Sequence, residues 1–183
     1  MLIGLILLGI VVVLVIFVIT LYNNLVRLRN RIENAWAQID VQLKRRWDLI
    51  PNLVETVKGY ASHEKETLEA VISARNAATT AQGPEAQAQS ENMLTGALRQ
   101  LFAVSEAYPD LKANQGFLEL QEELTTTEGR IAFSRQHYND TVLKFNTSIQ
   151  TFPAVVIAGA LNFTEREYFE IDDESRGTVA VEF

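Results

Sequence analysis

The chain has 183 residues, and its first 22 carry no charged side chain, which leaves 161 residues from Asn23 onward, one domain's worth, for a folded body. Sixteen Lys and Arg against 23 Asp and Glu give a net charge of −7, which argues against a binder of nucleic-acid phosphates, because that affinity comes from clustered basic charge. With no Cys and only His63 and His137, disulfides, thiol chemistry and Cys-rich zinc sites are excluded, and most catalytic plans lack their parts.

Leu2 to Ile19 is an unbroken run of 18 apolar or Gly residues. Extended to Tyr22 it makes roughly 30 Å of helix, the thickness of a bilayer's hydrocarbon core. Nothing basic precedes the run, and Thr20-Leu21-Tyr22 offers no small-x-small cleavage site, so the expectation is an uncleaved anchor over 1–22. Arg27, Arg29, Arg31, Lys44, Arg45 and Arg46 follow it against only Glu33 and Asp40. Positive flanks stay inside, which predicts a single-pass inner-membrane protein with its N-terminus out and its body cytoplasmic. Tyr22, Arg27, Arg29 and Arg31 are the expected membrane-proximal lipid contacts, with Tyr22 at the interface and the arginines on anionic headgroups.

Beyond the anchor, Pro51, Pro84, Pro109 and Pro153 divide Ala-, Leu-, Gln- and Glu-rich segments that read as helices. In the first, Leu25, Leu28, Ile32, Trp36, Ile39, Leu43, Trp47 and Ile50 are spaced by 3, 4, 4, 3, 4, 4 and 3. That eleven-residue rhythm, about 3.67 residues per turn, predicts a nearly straight stripe. No breaker separates it from the anchor, so Leu2 to Ile50 is expected as one helix roughly 70 Å long. Pro51 is expected to kink this helix or begin another. The face continues with Leu53, Val57, Tyr60 or Ala61, Leu68 and Ile72, and fades over Ala77 to Gln89, the expected inter-helix loop. Pro84 opens a third helix with a heptad-like stripe at Leu94, Leu98, Leu101, Ser105 and Tyr108, ending at Pro109. A fourth, about 35 residues from near Asn114, carries Leu120, Leu124, Thr127, Ile131, Ser134, Tyr138, Val142, Phe145 and Ile149 on one side. The fold class is therefore all-α: a transmembrane helix continuing into an antiparallel bundle of long helices over 23–163, followed by an acidic tail over 164–183. The patch from Phe152 through Phe163 is too short to span a bilayer. Three uses stay open for it: capping the bundle core, touching the membrane interface, or meeting neighbouring copies.

Catalytic and metal motifs fail on inspection. His63-Glu64 begins the zinc-protease pattern HExxH, but Thr67 stands where the second His belongs. Tyr60 and Ser134 occupy the positions where a di-iron bundle needs Glu. His137 beside Tyr138, Asn139 and Asp140 has no nucleophile with it, which leaves a hydrolase without its central part. Asp172-Asp173-Glu174 lacks calcium-loop spacing. Asn23, Asn24, Asn30, Asn34 and Asn52 are either register-fixing buried amides or solvent-facing positions. Asn139-Asp140-Thr141 and Asn146-Thr147-Ser148 match the glycosylation pattern but fall inside a predicted helix. No catalytic residue, metal or cofactor is expected.

Tyr22-Asn23-Asn24-Leu25-Val26 followed by LRNRIENAWAQIDVQLKRRWDLIPNLVETVKGYASHE, and a second block HYNDTVLKFNTSIQTFPAVVIAGALNF from His137 to Phe163, resemble the LemA family of bacterial membrane proteins. The resemblance implies a bacterial source and a helical bundle on a membrane helix, and it brings no catalytic residues to transfer. The expected function is a non-enzymatic scaffold that self-assembles at the inner membrane of the bacterial envelope, with membrane lipids and other copies of itself as partners and no nucleic acid. Self-association is expected along Leu25, Leu28, Ile32, Trp36, Ile39, Leu43 and Trp47. The alternative is an adaptor for a membrane protease or envelope enzyme, a possible membrane protein partner recognised through exposed residues such as Arg45 and His63.

Overall fold

A computed structural model of the chain describes residues 1–170, so the acidic run at 172–174 and the rest of the tail beyond Glu170 lie outside the described residues. Among the described residues there are six helices and no strand. They are α1 (Leu2–Tyr60), α2 (Lys65–Thr80), α3 (Pro84–Ser105), α4 (Pro109–Lys112), α5 (Gln115–Gln150) and α6 (Val155–Ala158). The all-α architecture with an apolar N-terminal helix is as the sequence predicts. Its first helix is ten residues longer, because Pro51 lies inside α1 and neither ends it nor begins another. A proline there leaves the carbonyl four residues earlier without its amide donor. The Arg75 Nε–H of α2 supplies one, at 2.8 Å from the Trp47 carbonyl oxygen.

The chain divides into two compact units. The first comprises 1–39 and 134–167. In it the end of α5 runs antiparallel to α1: Trp36 meets Tyr138 edge-on at 5.3 Å, while Tyr22 and Phe145 both meet Phe163, at 5.8 and 6.3 Å. Its interior holds Leu25, Ile32, Ala35 and Ile39 of α1, Tyr138, Val142, Phe145 and Ile149 of α5, and Ala154, Ala158 and Phe163 beyond it. From Leu2 to Ile19 the large apolar side chains of α1 all lie exposed, as befits a segment whose solvent is lipid.

Among the described residues the second unit comprises 40–133 and 168–170. Its core gathers Ile50, Leu53, Val57, Val71, Leu94, Leu98, Leu101, Leu111, Phe117 and Leu124. The expected loop over 77–89 shrinks to residues 81–83, since Ala and Gln are strong helix formers and only Gly83-Pro84 breaks the pattern. Gly83 takes φ +85°, a left-handed backbone open to glycine at little cost, and Pro84 follows as the first residue of α3. Val71 rather than Ile72 faces the core, and Ile72 is exposed. Asn114 begins α5 by accepting the Phe117 amide on its side-chain oxygen at 2.9 Å.

Candidate membrane-facing site

In the first unit, the segment after α5 folds into a hook at the end of the anchor. Phe152, Val155 and Val156 stay exposed, at 83, 48 and 70%, while Ala154, Ala158 and Phe163 turn inward. Of the three uses left open for this patch, core capping therefore accounts for one side only. Asn162 takes φ +57°, a left-handed value that Asn tolerates, and the Phe163 amide then reaches back to the Ala158 carbonyl at 3.0 Å. The Phe163 ring sits between Tyr22 and Phe145, with the Arg29 guanidinium 5.8 Å from its centroid, a cation–π distance.

The chain then doubles back along α5 and is held there by side chains. Asn146 uses both ends of its amide on Arg166: its nitrogen donates to the Arg166 carbonyl and its oxygen accepts the Arg166 amide, each at 2.9 Å. The Tyr138 hydroxyl donates to the Glu167 carbonyl at 2.9 Å, and Gln150 donates to the Glu165 carboxylate at 2.7 Å. Asn146 is therefore a structural clamp. In the sequence it stands in a glycosylation pattern and within the block from His137 to Phe163, and neither gives a sign of its role.

Of the expected lipid contacts, Tyr22, Arg27 and Arg31 are exposed and Arg29 is half-buried under its aromatic contact. Of the expected self-association stripe, Leu25, Ile32, Ile39 and Leu43 are buried within the single chain, and Leu28, Trp36 and Trp47 are half-buried. The stripe also steps aside twice. Ala35 and Arg46 occupy the innermost positions that periodicity alone gives to Trp36 and Trp47, and the two indoles flank the seam. Asn23, Asn24, Asn30, Asn34 and Asn52 are all exposed, which decides between the two alternatives for them. His63 lies exposed in the turn between α1 and α2 rather than in a helix, and His137 is exposed on α5. Arg45 pairs with Glu123 on the surface.

The second unit contains a charged group that sequence reading missed. Arg46 is 3% exposed, so this member of the basic flank is unavailable to lipid headgroups. Its guanidinium lies 3.2 Å from the fully buried Glu91, 3.1 Å from Glu128 and 2.8 Å from the Thr95 hydroxyl. Glu91 also accepts the Trp47 indole N–H at 2.9 Å and the Gln87 amide at 3.1 Å, and Gln87 donates in turn to the Ala78 carbonyl at 3.0 Å. Burial pushes the Glu91 carboxyl above its ordinary value of 4.5, and Arg46, Trp47 and Gln87 pull against that. The group ties α1 to α3 and α5 by charge-assisted bonds, with Arg46 and Glu91 buried and Glu128 at the solvent edge.

These features define a class: an all-helical body whose membrane-spanning segment is the first part of its longest helix. Comparison with known proteins narrows it, since the model of the LemA family matches residues 35–183, and the chain belongs to that family. It is 29% identical over 158 residues to Protein LemA of Metamycoplasma hominis, covering 84% of this chain and 71% of that one. It is 25% identical over 185 residues to Magnetosome protein MamQ 2 of Paramagnetospirillum magneticum and to Magnetosome protein MamQ of Magnetospirillum gryphiswaldense, in each case covering 85% of this chain and 68% of the relative. Its relatives are bacterial, and the protein is membrane-anchored.

Proposed function

We propose that this protein is a non-catalytic scaffold of the bacterial inner membrane, with its body on the cytoplasmic side and its copies assembled side by side. One observation carries the scaffold reading: the residues directly behind the membrane span, Leu25, Ile32, Ala35 and Ile39, are core residues of the first unit. The helix that carries the anchor is thus packed into the body directly behind the span, with no linker between them, and the membrane-proximal unit is held at the bilayer surface. Exposed Arg27 and Arg31, one turn apart, support the cytoplasmic side and contact with anionic headgroups, together with Tyr22 and Arg29. The names of the relatives describe no reaction, in keeping with a structural role.

Because much of the stripe is spent inside the chain, contact between copies falls to side chains that the fold leaves outside, and among the described residues Phe133 on α5, at 76%, is the most exposed large apolar side chain of the body apart from the hook. The test is mass and cross-linking analysis of the full chain in detergent and in lipid. Oligomers that dissociate in Phe133→Glu are expected, and a monomer at every concentration refutes assembly. Leu43→Ala separates the two surfaces, since it should lower stability without changing the subunit number of the folded protein.

A further inference from the structure

We propose that the hook at Phe152–Val156 is a second lipid-contacting element, inserted into the same bilayer interface that the anchor crosses. The placement follows from helix geometry within the first unit. Trp36 and Tyr138 stand side by side at 5.3 Å on antiparallel helices. From Trp36 down to Tyr22 is fourteen residues, about 21 Å at 1.5 Å per residue. From Tyr138 to Gln150, the end of α5, is twelve residues in the same direction, about 18 Å. The last turn of α5 thus lies within about 3 Å of the level of Tyr22, and the hook continues from there. The aromatic contact gives the same level independently: Phe163, bonded through its amide to Ala158 of the hook, touches Tyr22 at 5.8 Å.

The chemistry of the hook fits an interface. From Thr151 to Phe163 there is no charged residue, and Phe152, Val155 and Val156 project outward while Ala154 and Ala158 secure the other side. A phenyl ring and two branched aliphatics held outside the core are costly in water, and they are suited to the boundary between headgroups and acyl chains. The occupant is the bilayer because the hook is continuous with the end of the membrane span, where lipid is the neighbouring phase. Two points of attachment, the span and the hook, fix the rotation of the first unit about its anchor. This inference rests on the membrane anchor of the proposed function and is independent of self-assembly.

The cysteine-free chain admits single-cysteine probes without background. The full-length protein, one copy per lipid nanodisc of phosphatidylcholine and phosphatidylglycerol, carries an environment-sensitive fluorophore at Phe152→Cys or Val156→Cys. Thr125→Cys, exposed on α5, serves as the aqueous reference, and Val15→Cys in the span reports insertion. With insertion established at position 15, the expected result at 152 and 156 is quenching by lipids brominated near the headgroup and several-fold weaker quenching by iodide than at 125. Iodide quenching equal to that at 125 overturns the proposal. Shielding from iodide without quenching by brominated lipid also overturns it, since the cover is then protein. Both positions lie outside the protein core, so labelling leaves the core intact, and circular dichroism of each variant checks this. With one copy per disc, a hook that meets lipid is read even where mass analysis finds only monomers, so the two proposals fail separately.

Discussion

Arg46→Met keeps most of the side chain's bulk and removes its charge, and the consequence falls on Glu91. At 3.2 Å and an effective dielectric of about 20, the lost attraction is about 5 kcal/mol. Glu91 is fully buried and cannot recover that from water, whereas Glu128, at 45% exposure, can. The buried carboxyl has one escape, which is to take up a proton. That costs about 1.4 kcal/mol for each pH unit above its ordinary value, or about 3 kcal/mol at neutrality, within the usual range of about 3–5 kcal/mol for a broken buried pair. The predicted loss in Arg46→Met is therefore at most about 3 kcal/mol near neutral pH, because the native carboxyl, already held above 4.5 by burial, bears part of that cost.

The sign of its pH dependence follows. The folded carboxyl already holds its proton more tightly than the unfolded one, since burial raises it from 4.5. Between those two values the native state binds more protons, so stability falls as pH rises. Removing Arg46 removes a charge that lowers the carboxyl, so this window widens upward and the slope of the variant steepens. Most of the deficit should vanish as pH falls from neutral towards 4.5. Urea unfolding of the detergent-solubilised protein, followed by far-UV circular dichroism at several pH values, measures it as the difference between variant and native chain. Adding Glu91→Gln, which keeps an acceptor for Trp47 and Gln87, should remove the pH dependence of that difference and recover most of the loss. An equal deficit at both ends of the pH range refutes the reasoning.

Arg75→Met should cost about 1–2 kcal/mol, because the Trp47 carbonyl then loses the donor that replaces the one Pro51 lacks. Pro51→Ala restores an amide donor in the helix, so it should stabilise the Arg75→Met protein more than the native one, and additive effects in urea unfolding count against that coupling. Asn146→Ala removes both bonds to the Arg166 backbone, about 2 kcal/mol of local restraint, and should speed trypsin cleavage after Arg166 with the helices still folded; an unchanged rate refutes the clamp.

The helices were largely legible because their signals are redundant. Pro84 at a first turn, a helix start near Asn114 and the long stripe of α5 all hold in the structure, which adds that Asn114 caps the helix it was expected to begin. Pro51 shows where local chemistry misleads. Its penalty is real, but it is offset by Arg75 from another helix, and no local rule contains that partner. The Ala77 to Gln89 stretch misleads in the opposite direction, since a fading apolar stripe looks like a loop although Ala and Gln sustain a helix by propensity alone.

The buried charges were hidden for a deeper reason. Periodicity ranks positions by apolar side chains, so next to Trp47 it passes over Arg46, whose charge makes it a poor core residue without a partner. What makes the position tolerable is Glu91, forty-five residues away on α3, with Thr95 one turn further along. Neither the cation nor the carboxylate is a plausible core residue alone, and only the pair is. The same holds at the membrane end, where the exposed half of the Phe152–Phe163 patch becomes informative once Phe163 is seen against Tyr22. In both places the unit of meaning is a pair of residues distant in sequence, and a pair becomes readable when the fold supplies its second member.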